Sequence, residues 1–212
     1  MDAPNIGHIY LVDDDASIRV ALMTTFARLG YTVNAYESAA EFLKHATPVS
    51  PAVLVLDMRM PGQSGVELQA DLARHGWTTP TIFISGESLP IQIVQGMKQG
   101  ASDFLLKPFS IEDLLLSIRR ALDQDRAIHT ALIKTLQVEQ NYRHLTPRER
   151  DILEAILAGN TNKQIATADG SAAATVKLHR ARVLQKMQVA SLAELITLFR
   201  NIDVAKLKSN IF

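Results

Sequence analysis

Cysteine is absent from this 212-residue chain, which rules out disulfide frameworks and cysteine-based metal sites and leaves no hint of an oxidising compartment. Long apolar runs are missing as well: no stretch approaches the roughly 20 residues that cross a bilayer. The opening MDAPNIGHIYLVDDDAS has no basic n-region and its apolar run is broken by acids, so it does not read as a signal peptide. The expectation is a cytoplasmic protein with no membrane partner. An excess of charge is also absent, with 22 Lys and Arg against 22 Asp and Glu, but the balance hides an asymmetry. Residues 1–141 carry 11 basic and 16 acidic side chains, a net −5, and residues 142–212 carry 11 and 6, a net +5. An acidic half joined to a basic half points to different partners, and nucleic acid is the usual partner of a basic one. The length suits one domain of about 120 residues and a second of about 65, each able to bury a core.

Short β-type runs rich in Val, Ile, Leu and aromatics alternate with amphipathic helical stretches through residue 109. The runs are HIYLVD (8–13), YTVNAY (31–36), AVLVLD (52–57), PTIFIS (80–85) and SDFLLK (102–107). Between the first two, Ile18, Leu22, Phe26 and Leu29 recur at helical spacing before Gly30, a C-terminal stop. Five such βα units predict an α/β domain with a doubly wound five-stranded parallel sheet, whose ligands sit beyond the carboxyl ends of the strands. From Ser110 to Thr146 neither Gly nor Pro occurs, and Leu115, Ile118, Leu122, Leu132 and Leu136 suit one long helix, though the apolar face thins over DQDRAIHT (123–130). Four short helical segments follow, a compact all-α module. The expected division is a domain over 1–122, a helical linker over 123–143 and a second domain over 144–212.

Asp13 and Asp14 close the first strand, Asp57 the third, Ser85 the fourth and Lys107 the fifth. In a parallel sheet these ends share one edge, so three carboxylates, a hydroxyl and a lysine should converge. Clustered carboxylates repel one another unless protons or a cation relieve them. Oxygen ligands without His or Cys favour a hard ion such as Mg²⁺. A carboxylate can attack a phosphoryl group to give an acyl phosphate when a metal and a cation neutralise the transferred oxygens. Lys107 can supply that cation, and the Ser85 hydroxyl can bond a phosphoryl oxygen.

The pattern VDD…LVLDMRMPGQSGVEL…ISG…DFLLKPF resembles the response-regulator receiver domain over about residues 6–122. The resemblance implies that Asp57 is the phosphoacceptor, served by a sensor histidine kinase. It implies that Asp14, Asp57 and the Arg59 backbone carbonyl hold Mg²⁺ directly, with Asp13 acting mainly through water. Ser85 would be the switch hydroxyl, Phe104 the switch aromatic and Lys107 the phosphate-binding cation. Phosphatases of the haloacid-dehalogenase type share the Asp, Mg²⁺ and Lys, but they need a second Asp two positions after the nucleophile, where this chain has Arg59. A non-enzymatic regulator is the expectation.

LTPRERDILEAILAGNTNKQIA and TVKLHRARVLQKMQVASLAELITL resemble the LuxR-type DNA-binding domain over about residues 144–202, which places the chain beside the NarL/FixJ class of response regulators. Thr146 with Glu149, and Thr161 with Gln164, have the spacing of capping boxes. The third helix of the module carries a basic face, with Val176, Val183, Leu184 and Met187 as its apolar stripe. The family's geometry would put Lys177, Leu178 and Ala181 on base edges of double-stranded DNA, with Lys163, Thr175, Arg180 and Arg182 nearer the backbone. Phosphorylation would then favour a homodimer or release the helix-turn-helix. The alternative is a phosphorylation-controlled protein-interaction module that does not bind DNA.

One segment departs from the family. LuxR-type modules usually carry apolar residues on both sides of the turn glycine and a Ser or Thr cap on the recognition helix. Here those positions are Asp169, Ser171 and Ala172. An Asp169 carboxylate with no partner should turn to water or rise in pKa. Ser171 should take over as N-cap, with the recognition helix starting near Ala172.

Overall fold

The computed structural model describes residues 6–86, 90–200, 202 and 204–209. It divides into two compact units between Thr130 and Ala131. In the first, β1 (His8–Val12), β2 (Thr32–Tyr36), β3 (Ala52–Asp57), β4 (Thr81–Ser85) and β5 (Asp103–Leu106) alternate with α1 (Ala16–Arg28), α2 (Ala39–His45), α3 (Gly65–Arg74) and α4 (Pro90–Lys98). The sheet is parallel throughout, in the order β2-β1-β3-β4-β5. The order reverses direction at β1 and β3, so the carboxyl ends of these two strands flank a natural crevice.

Period-two alternation builds two cores from the same strands. Tyr10, Val12, Leu54, Leu56 and Phe83 pack with Phe42, Leu68 and Leu72 on one face. Ile9, Leu11, Val53, Val55, Ile82 and Ile84 pack with Leu22, Phe26, Leu114 and Ile118 on the other. Because both faces are covered, the central strands are apolar at nearly every position, each large side chain contributing about 1.5–3 kcal/mol. Asp15 caps α1, accepting from Ser17 N at 2.8 Å. Ser64 and Glu67 form a capping box on α3.

Helix α5 (Ile111–Arg143) is one continuous 33-residue helix. Its early residues Leu114, Ile118 and Leu122 join the first unit's core, and Val138 and Tyr142 join the second unit's. The thinning at 123–130 has a physical cause. Asp125 there is buried, accepting from the Ser50 hydroxyl at 2.6 Å and from Ala52 N at 3.0 Å, so a polar clamp holds the helix where its apolar face thins. Leu132 and Leu136 are exposed.

The second unit continues with α6 (Pro147–Leu157), α7 (Asn162–Asp169), α8 (Ala173–Lys186), α9 (Leu192–Phe199) and a short α10 (Val204–Ser209). Both capping boxes form, at Thr146/Glu149 and Thr161/Gln164. Ile152, Leu153, Ile156, Ile165, Val176, Val183, Met187, Leu195 and Phe199 make the core. Beyond the four expected helices, α10 adds Leu207 to that core, and Lys208 bonds Glu154 at 2.6 Å.

The turn before α8 corrects two expectations. Ser171 is not the cap: Ala172 is, with no side-chain bond, and the Ser171 hydroxyl is buried without a partner among the described residues. Asp169 is not alone either. One of its oxygens accepts from Ser171 N at 2.8 Å and the other is ion-paired with Arg148. The bond to Ser171 N curls the chain after Gly170, which places Ser171 one residue too early to reach the first turn.

Candidate functional site

Lys107, one residue past β5, places its ammonium 2.7 Å from Asp13 Oδ2 and 2.8 Å from Asp57 Oδ1. The remaining oxygen of each carboxylate meets backbone: Asp13 Oδ1 accepts from Asp15 N at 2.9 Å, and Asp57 Oδ2 from Arg59 N at 2.8 Å. Both carboxylates are buried. Burial pushes the Asp57 carboxyl up from its ordinary value, and the Lys107 bonds offset this only in part. At Lys107 burial works downward, but the bonds to Asp13 and Asp57 outweigh it and hold the ammonium above the usual lysine value. Burial thus dominates at Asp57, whereas at Lys107 the two carboxylate partners together outweigh burial.

Of the three carboxylates expected at this edge, Asp13 and Asp57 meet on Lys107. Asp14 is exposed, since successive side chains of an extended segment point to opposite sides. Among the described residues no group of three or more His, Cys, Asp or Glu is gathered tightly enough to hold a metal ion. The donor chemistry still fits a hard cation: buried carboxylate oxygens carry excess negative charge, with the Arg59 carbonyl and Asp14 close by in the chain and no nitrogen or sulfur ligand. Ser85 is buried at the end of β4, and its carbonyl accepts from Lys107 N at 2.7 Å, so backbone ties the lysine to the hydroxyl-bearing residue. Phe104 is half-buried on β5, in register with Phe83.

Two features escaped sequence reasoning. The Arg19 guanidinium bonds the carbonyls of Asp13 and Asp14 at 2.7 and 2.9 Å, clamping the acidic loop from the first turns of α1. Gly65 packs against the end of β3 so closely that a Cβ there would lie 2.3 Å from the Asp57 carbonyl oxygen. A long side chain bonding to backbone leaves no periodic trace, whereas glycine just after PGQS was readable as a sign of close approach.

In the second unit α8 buries Val176 and Val183, with Met187 buried at its C-cap, and exposes Thr175, Lys177, Leu178, Ala181 and Arg182. Lys163 is exposed on α7. Arg180 differs: half-buried, it donates to the Asn160 carbonyl at 3.0 Å and so holds the α6–α7 turn. Below this face Lys186 bonds the buried Glu149 at 2.5 Å, and Glu149 also accepts from Thr146 N at 2.9 Å.

Comparison with known proteins matches both units. The response regulator receiver domain family covers residues 9–119, and the family of bacterial regulatory proteins of the luxR type covers 143–199. Nodulation protein W of Bradyrhizobium diazoefficiens is 37% identical over 197 residues, covering 93% of this chain and 87% of that protein. The transcriptional regulatory protein FixJ of the same organism is 34% identical over 192 residues, covering 91% and 94%. The solved structure of response regulator StyR superposes with a TM-score of 0.81 at 40% identity, covering 91% of this chain and 97% of that one. The chain therefore belongs to the NarL/FixJ class of two-component response regulators, DNA-binding transcriptional regulators that join a receiver domain to a LuxR-type helix-turn-helix.

Proposed function

We propose that Asp57 is the phosphoacceptor and that its phosphorylation by a partner histidine kinase controls DNA binding by α8. The observation that carries this reading is the Lys107 ammonium shared between Asp13 and Asp57 at the carboxyl edge of the sheet. An Asp57 oxygen attacks the phosphorus of a phosphohistidine; the P–N bond breaks, its electron pair leaves with the imidazole, and an acyl phosphate remains. Lys107 then has a phosphoryl oxygen to bond as well as Asp13. Asp13, Asp14, Asp57 and the Arg59 carbonyl would hold Mg²⁺, which supplies charge neutralisation for the transferred oxygens. An apolar groove lined by Ile18, Ala21, Leu22, Pro108 and Phe109 also reaches Lys107.

Ser85 and Phe104 are the switch pair, moving inward when the phosphoryl group is present. That state forms a homodimer or releases the recognition helix. The working division is receiver 1–122, linker 123–143 and DNA-binding domain 144–212, in a cytoplasmic, non-enzymatic regulator. Arg59 stands where a phosphatase of similar chemistry would need its acid, which supports a lasting phosphoryl signal over turnover. On DNA, Lys177, Leu178 and Ala181 face bases while Thr175, Arg182 and Lys163 approach phosphates. Arg180 serves the backbone side with its guanidinium already anchored to Asn160.

The test is phosphoryl uptake from a small acyl-phosphate donor with Mg²⁺. Wild type should label stoichiometrically and Asp57→Asn should not, because an amide cannot act as the nucleophile. Stoichiometric labelling of Asp57→Asn would overturn the assignment.

A further inference from the structure

The turn between α7 and α8 carries a charge pair in the place where LuxR-type modules usually pack apolar side chains. Asp169 ends α7, and its two oxygens bind different partners. Oδ2 is ion-paired with the guanidinium of Arg148 in the first turn of α6, and Oδ1 accepts the Ser171 N–H at 2.8 Å. The pair is partly sheltered, with 37% of the Arg148 side chain and 21% of the Asp169 side chain exposed. One carboxylate thus links α6, the end of α7 and the residues that lead into α8.

Nothing else in the turn performs that task. Gly170 makes the reversal at a φ of 72° and contributes no side chain. Ala172 caps α8 without a side-chain bond, and the Ser171 hydroxyl has no partner among the described residues. Ala172, Ala173 and Ala174 are exposed, so the first turn of α8 has neither a polar cap nor packing of its own until Val176 enters the core.

We propose that Arg148 and Asp169 are a positioning pair that fixes the angle at which α8 is presented to DNA, in place of an apolar seat. This rests on the reading of α8 as the DNA-recognition helix, and neither residue itself touches DNA. The competing role for Arg148, on a basic module, is an ordinary phosphate contact, with Asp169 merely repelling DNA. The two roles part on charge. A phosphate contact contributes about one unit to the salt slope and acts on every sequence alike. A positioning pair affects the preferred sequence, because only base contacts need the helix at a fixed angle.

The experiment uses the full-length chain and two duplexes of equal length, one selected by this protein from a random pool and one random. Affinities are read by fluorescence anisotropy across a salt series. The double variant Arg148→Ala with Asp169→Ala leaves the net charge unchanged. It should lose about 3- to 10-fold affinity for the selected duplex, keep wild-type affinity for the random one, and keep the salt slope. The swapped pair Arg148→Asp with Asp169→Arg should recover only the part of the loss that the ion pair accounts for, because arginine at position 169 offers no acceptor to Ser171 N. Asp169→Asn keeps an acceptor for Ser171 N but lacks the charge, and it serves as the folded single variant if an alanine variant fails to fold; it should fall between wild type and the double variant. Amide hydrogen exchange over residues 171–176 should rise in Asp169→Asn and in the double variant without any DNA.

The proposal is overturned if Arg148→Ala lowers the salt slope by about one and weakens both duplexes equally, or if exchange at 171–176 is unchanged in both of those variants. Failure of the wild-type chain to prefer its selected duplex would instead overturn the role of α8, and the exchange measurement would still decide whether the pair holds the turn.

Discussion

Gly65 lies against the backbone of Asp57 so closely that an added Cβ would sit 2.3 Å from the Asp57 carbonyl oxygen. Gly65 N also donates to the Met58 carbonyl at 3.1 Å, folding the loop after β3 back onto the strand end. Gly65→Ala must therefore push α3 away from β3 or shift Asp57 itself. The expected result is a loss of about 1–3 kcal/mol in receiver stability, together with slower phosphoryl uptake. Thermal melting and acyl-phosphate labelling measure the two effects, and wild-type values in both would refute the close approach.

Lys107→Ala removes the cation that Asp13 and Asp57 share. The sheet around it is apolar and fully packed, so the fold should survive, particularly with Mg²⁺ present to relieve the carboxylates. The phosphoryl group would then lack a charge-assisted bond to the end of β5. DNA affinity should cease to respond to phosphorylation even though Asp57 can still be labelled. A normal response in labelled Lys107→Ala would place the coupling elsewhere.

Glu149 gives the second unit a pH dependence of known sign. Burial works to raise its pKa, but the bonds from Lys186 and Thr146 outweigh burial and hold it below the ordinary value of 4.5. A depressed carboxylate stabilises the fold above its unfolded pKa, and that stability is lost as pH falls through the folded value. Glu149→Gln should cost about 1–2 kcal/mol at pH 7, the modest figure reflecting the partly exposed Lys186. It should also flatten the acid limb below about pH 4.5 in the melting temperature of this unit. An acid limb as steep as that of wild type would show that other carboxylates set it.

Arg180 and Arg182 are two positions apart on α8 and should behave differently. Arg180 holds the Asn160 carbonyl, so Arg180→Ala should lower stability by about 1 kcal/mol. Arg182 is exposed, so Arg182→Ala should leave melting unchanged and reduce the salt slope of DNA binding by about one. Melting curves and a salt titration separate them, and identical behaviour would contradict the division of labour.

Much of this was legible in the sequence because it follows from periodicity. The five strands were read to within a residue at every end, since Tyr10 and Val12 against Ile9 and Leu11 obey strict alternation between two buried faces. Both capping boxes followed from the spacing of Thr146 to Glu149 and Thr161 to Gln164. The convergence of Asp13, Asp57 and Lys107 followed from parallel strands sharing an edge. What escaped was polar and long-range in sequence. Asp125 bonds Ser50 across 75 residues, Arg19 reaches carbonyls that carry no side-chain signature, and Asp169 finds Arg148 across a helix hairpin. Such partners are set by tertiary geometry, so a lone acid in an apolar position looked unpaired when it was not. The exposed Asp14 has the same origin, because adjacency in DDD says nothing of which side of the strand end each carboxylate takes.

The most direct test of phosphorylation control is the change in affinity for a selected duplex when the full-length protein is treated with a small acyl-phosphate donor and Mg²⁺ at fixed salt. Wild type should bind at least about 10-fold more tightly after treatment, a shift of about 1.4 kcal/mol, and Asp57→Asn should not respond. Equal tightening in Asp57→Asn, or no tightening in fully labelled wild type, would contradict control of DNA binding through Asp57.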